Sequence, residues 1–235
     1  MTEPTPGLLV TLARCSDTAR LAEWEAWWDD VHVPDVAAVT GATRVTRWRV
    51  VGAGTGPAAQ GFTHVAFHDL ASAAALPAAL DGLTVGLAGW WASGRMHPRH
   101  VLADVWALQG HGPHGTHPPP GPGVTGRIVA WVLCTEPGRV REWDAWYDAQ
   151  HVPDMVATGC FSAASRWRPI APPRFGPRHL TLYDISAMST AEAVEISAAA
   201  MPPLVAAGRK PSWHAGTATV ILEPTGSHAP EGWTP

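Results

Sequence analysis

His32 and His151 stand 119 residues apart in stretches that match position for position, WEAWWDDVHVPD from Trp24 and WDAWYDAQHVPD from Trp143. Imidazole titrates near neutral pH, so one held in an apolar pocket can take and give a proton without metal help. Asp35 and Asp154 follow one helical turn later, where a carboxylate can fix a tautomer and stabilise imidazolium. The same spacing equally suits a structural pair that secures a kink at Pro34 or Pro153. His64 and His68 share one face of a strand, and His179 and Tyr183 hold the matching places in the second half; these four are candidates for the second acid or base. Trp24, Trp28, Trp48, Trp143, Tyr147 and Trp167 would give flat walls for a ring or polyene, with His100 and His214 as further contacts. Taken alone, the tryptophan stripe is simply core.

The elements that must hold these groups recur in the same order in both halves. Leu8 to Arg14 is a short apolar run bounded by turn residues and fits a buried strand. Ser16 and Thr135 are placed to cap the following helix. In that helix Trp24, Trp27, Trp28, Val31 and Asp35 form one stripe, and Pro34 predicts a kink or a restart near Val33. Thr43 to Val51 and Phe62 to Leu70 read as strands, Ala71 to Ser93 as a helix bent around Pro77 and Gly82, and His100 to Leu108 as a fourth strand. The second half repeats this with Arg127 to Cys134, Arg139 to Thr158, Phe161 to Ile170, Arg178 to Ile185, Ser189 to Met201 and His214 to Leu222. The order βαββαβ, twice, divides the chain into units at 1–110 and 127–235. The Gly/Pro/His segment 111–126, HGPHGTHPPPGPGVTG, reads as a solvated linker. Its HxxHxxH spacing could hold a metal weakly but matches no zinc signature, and a simple connector is the expected reading.

Composition narrows the class. Charged residues make up 15% of the 235, 13 are tryptophan, and the net charge is -4. Much of the sequence must therefore be interior or cavity wall. Without a basic cluster, neither nucleic acid nor an anionic membrane surface is an expected partner. No uninterrupted apolar run approaches a bilayer span, and the N-terminus lacks the basic residues that precede the apolar core of a signal peptide. Cys15, Cys134 and Cys160 show no CxxC spacing and read as buried thiols of a reducing compartment. The expectation is a soluble, cytoplasmic protein. Since the first half keeps more ionisable groups, it is the favoured site of chemistry.

A βαββαβ unit with helices on one face of an antiparallel sheet is ferredoxin-like. With Trp27, Trp28, His32, Pro34 and Asp35, then Trp146, Tyr147, His151, Pro153 and Asp154, the sequence resembles the EthD-like members of the dimeric α/β-barrel superfamily. That resemblance implies an α+β fold of two tandem units packed sheet to sheet as an intramolecular pseudo-dimer, with further homodimerisation open. It also implies pockets between sheet and helices, with His32 and His151 as the helix histidines. The superfamily includes polyketide cyclases, lactone isomerases, cofactor-independent monooxygenases and haem enzymes. The leading expectation is a cofactor-independent cyclase, isomerase or lyase acting on a hydrophobic, carbonyl-bearing small molecule, aromatic or polyketide-like. The alternatives are a haem-dependent or cofactor-free oxygenase, and a non-catalytic binding protein for a hydrophobic metabolite.

Overall fold

The computed structural model describes residues 4–53, 61–115, 123–171 and 178–228. Two compact units divide the chain, one of Met1–Arg49, Gly61–Gln109 and Pro224–Pro235, the other of Val50–Gln60 and Gly110–Glu223. In the first, strands β1 (Gly7–Cys15), β2 (Arg44–Ala53), β3 (His64–Leu70) and β4 (His100–Gly110) alternate with helices α1 (Leu21–Trp27), α2 (Val33–Thr40) and α3 (Leu76–Ala92). The strands pair antiparallel in the order β4-β1-β3-β2, with Thr11 opposite Ala66 and Val45 opposite His68. The second unit repeats the pattern with β5 (Val124–Cys134), α4 (Val140–Trp146), α5 (Val152–Val156), β6 (Phe161–Pro169), β7 (His179–Ser186), α6 (Thr190–Ala206) and β8 (His214–His228). Its order is β8-β5-β7-β6, also antiparallel. The fold is thus α+β, a tandem pair of ferredoxin-like units.

The helix restarts at Val33, one of the two outcomes expected of Pro34. Between α1 and α2 lies one π-helical turn, Trp28–His32, closed by the Val33 N–H donating to the Trp28 carbonyl five residues back. Pro34 has no N–H to give, and widening the turn ahead of it lets the chain continue as helix with proline in the first turn of α2. Tyr147–His151 forms the same turn before Pro153, with Val152 donating to Tyr147. Both histidines are therefore the last residue of a π turn, and both are buried. Gly41, in the left-handed region at φ 66°, ends α2 by donating to Ala37.

Other local expectations change too. Ser16 is not the cap: the Asp17 carboxylate accepts the Ala19 N–H at 3.1 Å. Helix α3 runs unbroken because Pro77 sits in its first turn. Gly82 marks close contact instead, since a Cβ there would stand 2.2 Å from the Val39 carbonyl oxygen of α2. By length and composition the segment Ala73–Ala92 is apolar enough to cross a membrane, although Asp81 interrupts its apolar run. Its Leu76, Ala79 and Leu83 are buried in the first unit's core, while Val85 and Trp91 are exposed.

The cores of the two units differ. In the first, one cluster joins Leu9, Trp24, Trp28, Val36, Val45, Ala66, Leu76 and Leu83, with Leu87 and Trp90 packed on it. In the second it is split, with Ile128, Met155, Phe161, Tyr183 and Ile185 on one side and Val132, Trp143, Tyr147, Val152 and Trp213 on the other.

Candidate functional site

A cavity of about 370 Å³ opens between these two clusters of the second unit. Its floor is the helix-facing side of β5 and β7, through Ile128, Ala130, Val132 and Tyr183, and α6 covers it with Val194, Ser197 and Met201. Tyr147 and His151 enter from the π turn, and Lys210 and His214 from the segment around the start of β8. At matching places in the first unit, Ser197 is Leu83, Leu204 is Trp90 and Gly216 is Leu102. Leu83 is buried in the core, and the Trp90 ring stands edge-on to His32 at 5.8 Å. Trp90 on α3 thus packs beside His32, where the counterpart of Trp90 in the second unit is the smaller Leu204. The sequence expectation favoured the first half on its ionisable groups; the cavity described here lies in the second.

Four predicted residues meet in this cavity. The His151 and His214 rings lie 5.3 Å apart, and Tyr147 lies 4.6 Å from His151. The Tyr147 and Tyr183 hydroxyls are 3.3 Å apart, and Thr181 donates to the Tyr147 oxygen at 2.9 Å. Burial holds the His151 pKa at about 4 and that of His214 at about 3, so both rings are neutral at ordinary pH. Burial also pushes both tyrosines up, leaving their hydroxyls protonated. The Trp143 indole N–H donates to His214 Nδ1 at 3.1 Å. Indole is a donor only, so His214 carries its proton on Nε2. Beneath Tyr147, the Arg166 guanidinium lies 4.5 Å from the ring centroid.

The first unit brings its candidates together differently. His32 lies 4.7 Å from His100 and stacks on Trp27 at 4.9 Å. Burial holds His32, His68 and His100 at about 3. His68 Nε2 bonds the Thr11 hydroxyl at 3.1 Å, and neither His100 nitrogen has a partner. His64, also lowered by burial, bonds Glu25 at 3.0 Å and packs edge-on to Trp24 and Trp28.

Several expectations are corrected. Asp35 does not orient His32; it forms a two-point pair with Arg95 at 2.5 and 2.8 Å. Asp154 is held likewise by Arg209, at 2.9 and 2.6 Å. Arg95 and Arg209 recur 114 residues apart, the spacing of His100 and His214, and that recurrence was the available signal. Trp48 and Trp167 are not among the residues that line this cavity. Their indoles donate to Thr46 and Ser165 on the sheet face away from the helices, and both are fully buried there. His179 is not among the cavity-lining residues; it lies 4.6 Å from Trp143 and 5.7 Å from His111. Cys15 and Cys134 each donate to a nearby carbonyl at 3.1 Å, and all three cysteines are free thiols. Sequence reasoning missed Lys210, Met155, Phe161, Ser197 and Thr219, whose types carry no signal apart from the fold.

Haem, which the superfamily resemblance raises, needs an axial ligand and room for a macrocycle. His151 offers a neutral imidazole and Lys210 a cation for a carboxylate. The space is at the low end of the roughly 300–1,000 Å³ of small-molecule sites, with Tyr147, Met155 and Phe161 among its walls. At this volume the cavity suits a compact molecule better than the macrocycle.

No protein-family model and no curated protein matches the chain. Solved structures do. An anthrone oxidase-like protein is 15% identical, with 97% of this chain and 94% of that one covered at a TM-score of 0.56. A mutant chlorite dismutase from Candidatus Nitrospira defluvii is 10% identical, with coverages of 96% and 93% and a TM-score of 0.54. A candidate monooxygenase from Fusobacterium nucleatum is 8% identical, with coverages of 99% and 98% and a TM-score of 0.56. These likenesses show the fold, that of the dimeric α/β-barrel type.

Proposed function

We propose that the chain is a cofactor-independent enzyme whose second unit performs proton-transfer chemistry on a compact, hydrophobic, carbonyl-bearing molecule of aromatic or polyketide type. The observation that carries this reading is the apolar cavity in which a neutral, unprotonated His151 faces hydrogen-bond donors from Tyr147, Tyr183 and His214. His151 takes a proton from a carbon next to the substrate carbonyl. The carbonyl oxygen, now an enolate, receives hydrogen bonds from the His214 Nε2–H and a tyrosine hydroxyl, which costs little reorganisation because these donors are already buried and aimed. Arg166 beneath Tyr147 makes that phenol a stronger donor. Return of the proton to a different atom is isomerisation; attack of the carbanion on a second carbonyl is cyclisation; loss of a leaving group is a lyase reaction.

The likeness to an anthrone oxidase-like protein favours a second reading that shares the first step. There the carbanion is consumed by dioxygen, so that a ring CH₂ becomes C=O and the second oxygen atom leaves as water. Anthrone, kept under nitrogen in D₂O with the purified protein, separates the outcomes. Catalysed exchange of its acidic CH₂ protons, slowed about a hundredfold or more by His151→Gln, supports the proton-transfer step. Admission of air then tests for anthraquinone. Exchange as fast with His151→Gln as with the unaltered protein overturns the role of His151. A Soret band on adding haem overturns the cofactor-free form, and tight binding without any exchange of anthrone or other carbon acids points to a carrier.

A further inference from the structure

We propose that the second unit binds a divalent first-row transition metal ion at His111, Asp144 and His179, apart from the cavity. The potential ligand atoms of these three side chains lie within 4.8 Å of one another. Two imidazoles and one carboxylate suit such ions, whose bonds to nitrogen and oxygen are about 2.0–2.2 Å for zinc. His111 Nε2 lies 2.7 Å from Asp144 Oδ1, and the buried Nδ1 of His179 has no hydrogen-bond partner. A metal would give that nitrogen its missing partner and would replace the His111 proton in its contact with Asp144. Small ring movements, of about an ångström, close the set. The Asp144 carboxylate is already fixed by Arg166 Nη2 at 2.8 Å, the kind of outer support that metal-binding carboxylates carry. The Arg166 charge is itself matched by Asp148, so Asp144 leaves the site net negative.

The first unit supplies the contrast. Its equivalents of Asp144 and His179 are Glu25 and His64, which bond each other at 3.0 Å, while the Thr63 hydroxyl satisfies His64 Nδ1 at 2.9 Å. That pair is complete without a third ligand. In the second unit the acid–histidine bond is absent from the described contacts, and His111 from the segment after β4 has come in beside the acid; 114 residues on, the matching position is Thr225. The segment read as a solvated linker is therefore anchored at its start, with the His111 N–H also donating to the Arg166 carbonyl at 2.9 Å. The Trp143 ring lies against His179 on one side and donates to His214 of the cavity, so the ion would sit behind the cavity wall and fasten His111 to α4 and β7.

Co²⁺ added to chelator-treated full-length protein tests this. The expected result is one equivalent bound at micromolar affinity or better, visible as ligand-field bands, displaced by Zn²⁺, and accompanied by a rise in Tm. His111→Gln, Asp144→Asn and His179→Gln should each weaken binding at least tenfold, while His64→Gln and the linker variants His114→Gln and His117→Gln should not. Circular dichroism and the Tm of metal-free variants separate lost ligands from lost fold, and His111→Gln, outside the packed core, is the least disruptive. Absence of saturable binding at micromolar Co²⁺ overturns the proposal. So does binding that survives His179→Gln but is lost with His114→Gln, which would place the ion on the linker alone.

Discussion

At the scale of single residues, the two copies carry side chains of different size at matching places around a retained imidazole. Gly216 lines the cavity, its φ is ordinary, and a Cβ added there would meet nothing within 4 Å. Gly216→Leu restores the residue that the first unit carries as Leu102, and is expected to weaken ligand binding at least tenfold without lowering Tm. Fluorescence titration of the cavity-side aromatics with an anthrone-like ligand checks this, and unaltered affinity would mean that the ligand sits elsewhere. The acid side of the pH profile follows from His151. Because burial holds its pKa at about 4, the base form persists at pH 5, and the rate should stay level down to about pH 5 and fall only as the pH approaches 4. A decline already centred near 6.5 would show that the working imidazole is solvated.

The elements explain why part of this was legible in the sequence. Alternating and helical periodicities gave the βαββαβ order twice, and the aromatic-His-x-Pro stretch placed both histidines on a helix wall. What could not be read was the cavity beside His151, because Ser197 and Gly216 join its lining only after α6 and β8 have packed. Nor could spacing along one helix show that Asp35 and Asp154 face Arg95 and Arg209. The closeness of α2 and α3 gives a test confined to one helix. Gly82→Ala drives a methyl into the Val39 carbonyl and should cost about 1–3 kcal/mol. Gly89→Ala, in the same helix with open space, should stabilise by about 0.5–1 kcal/mol. Urea unfolding of the two variants should therefore move in opposite directions; equal shifts would refute the packing of these helices.

Over the whole molecule, neutral buried imidazoles couple stability to pH. Above the ordinary histidine value of 6.5 both folded and unfolded chains carry His32, His68 and His100 uncharged; below it the unfolded chain takes up protons that the folded one refuses until about pH 3. Stability is therefore full above 6.5 and lost as pH falls, by about 1.4 kcal/mol per unit for each such group. Between pH 7.5 and 5.5 these three histidines alone should remove about 4 kcal/mol, a large part of the roughly 5–15 kcal/mol typical of a domain. Denaturant midpoints at the two pH values measure it, and equal midpoints would show the rings to be hydrated.

The first unit keeps its imidazoles and tryptophans while Leu83, Trp90 and Leu102 occupy the place of the smaller residues. Leu83→Ser, Trp90→Leu and Leu102→Gly would give the first unit the second's side chains at these places and open a chamber with Trp28 and His68 where the other unit has Tyr147 and Tyr183. Such a chamber would offer an imidazole where its twin offers a phenol, and so would favour different substrates. In that sense the first copy is a template, from which one polypeptide could acquire a second specificity without altering the cavity of the other.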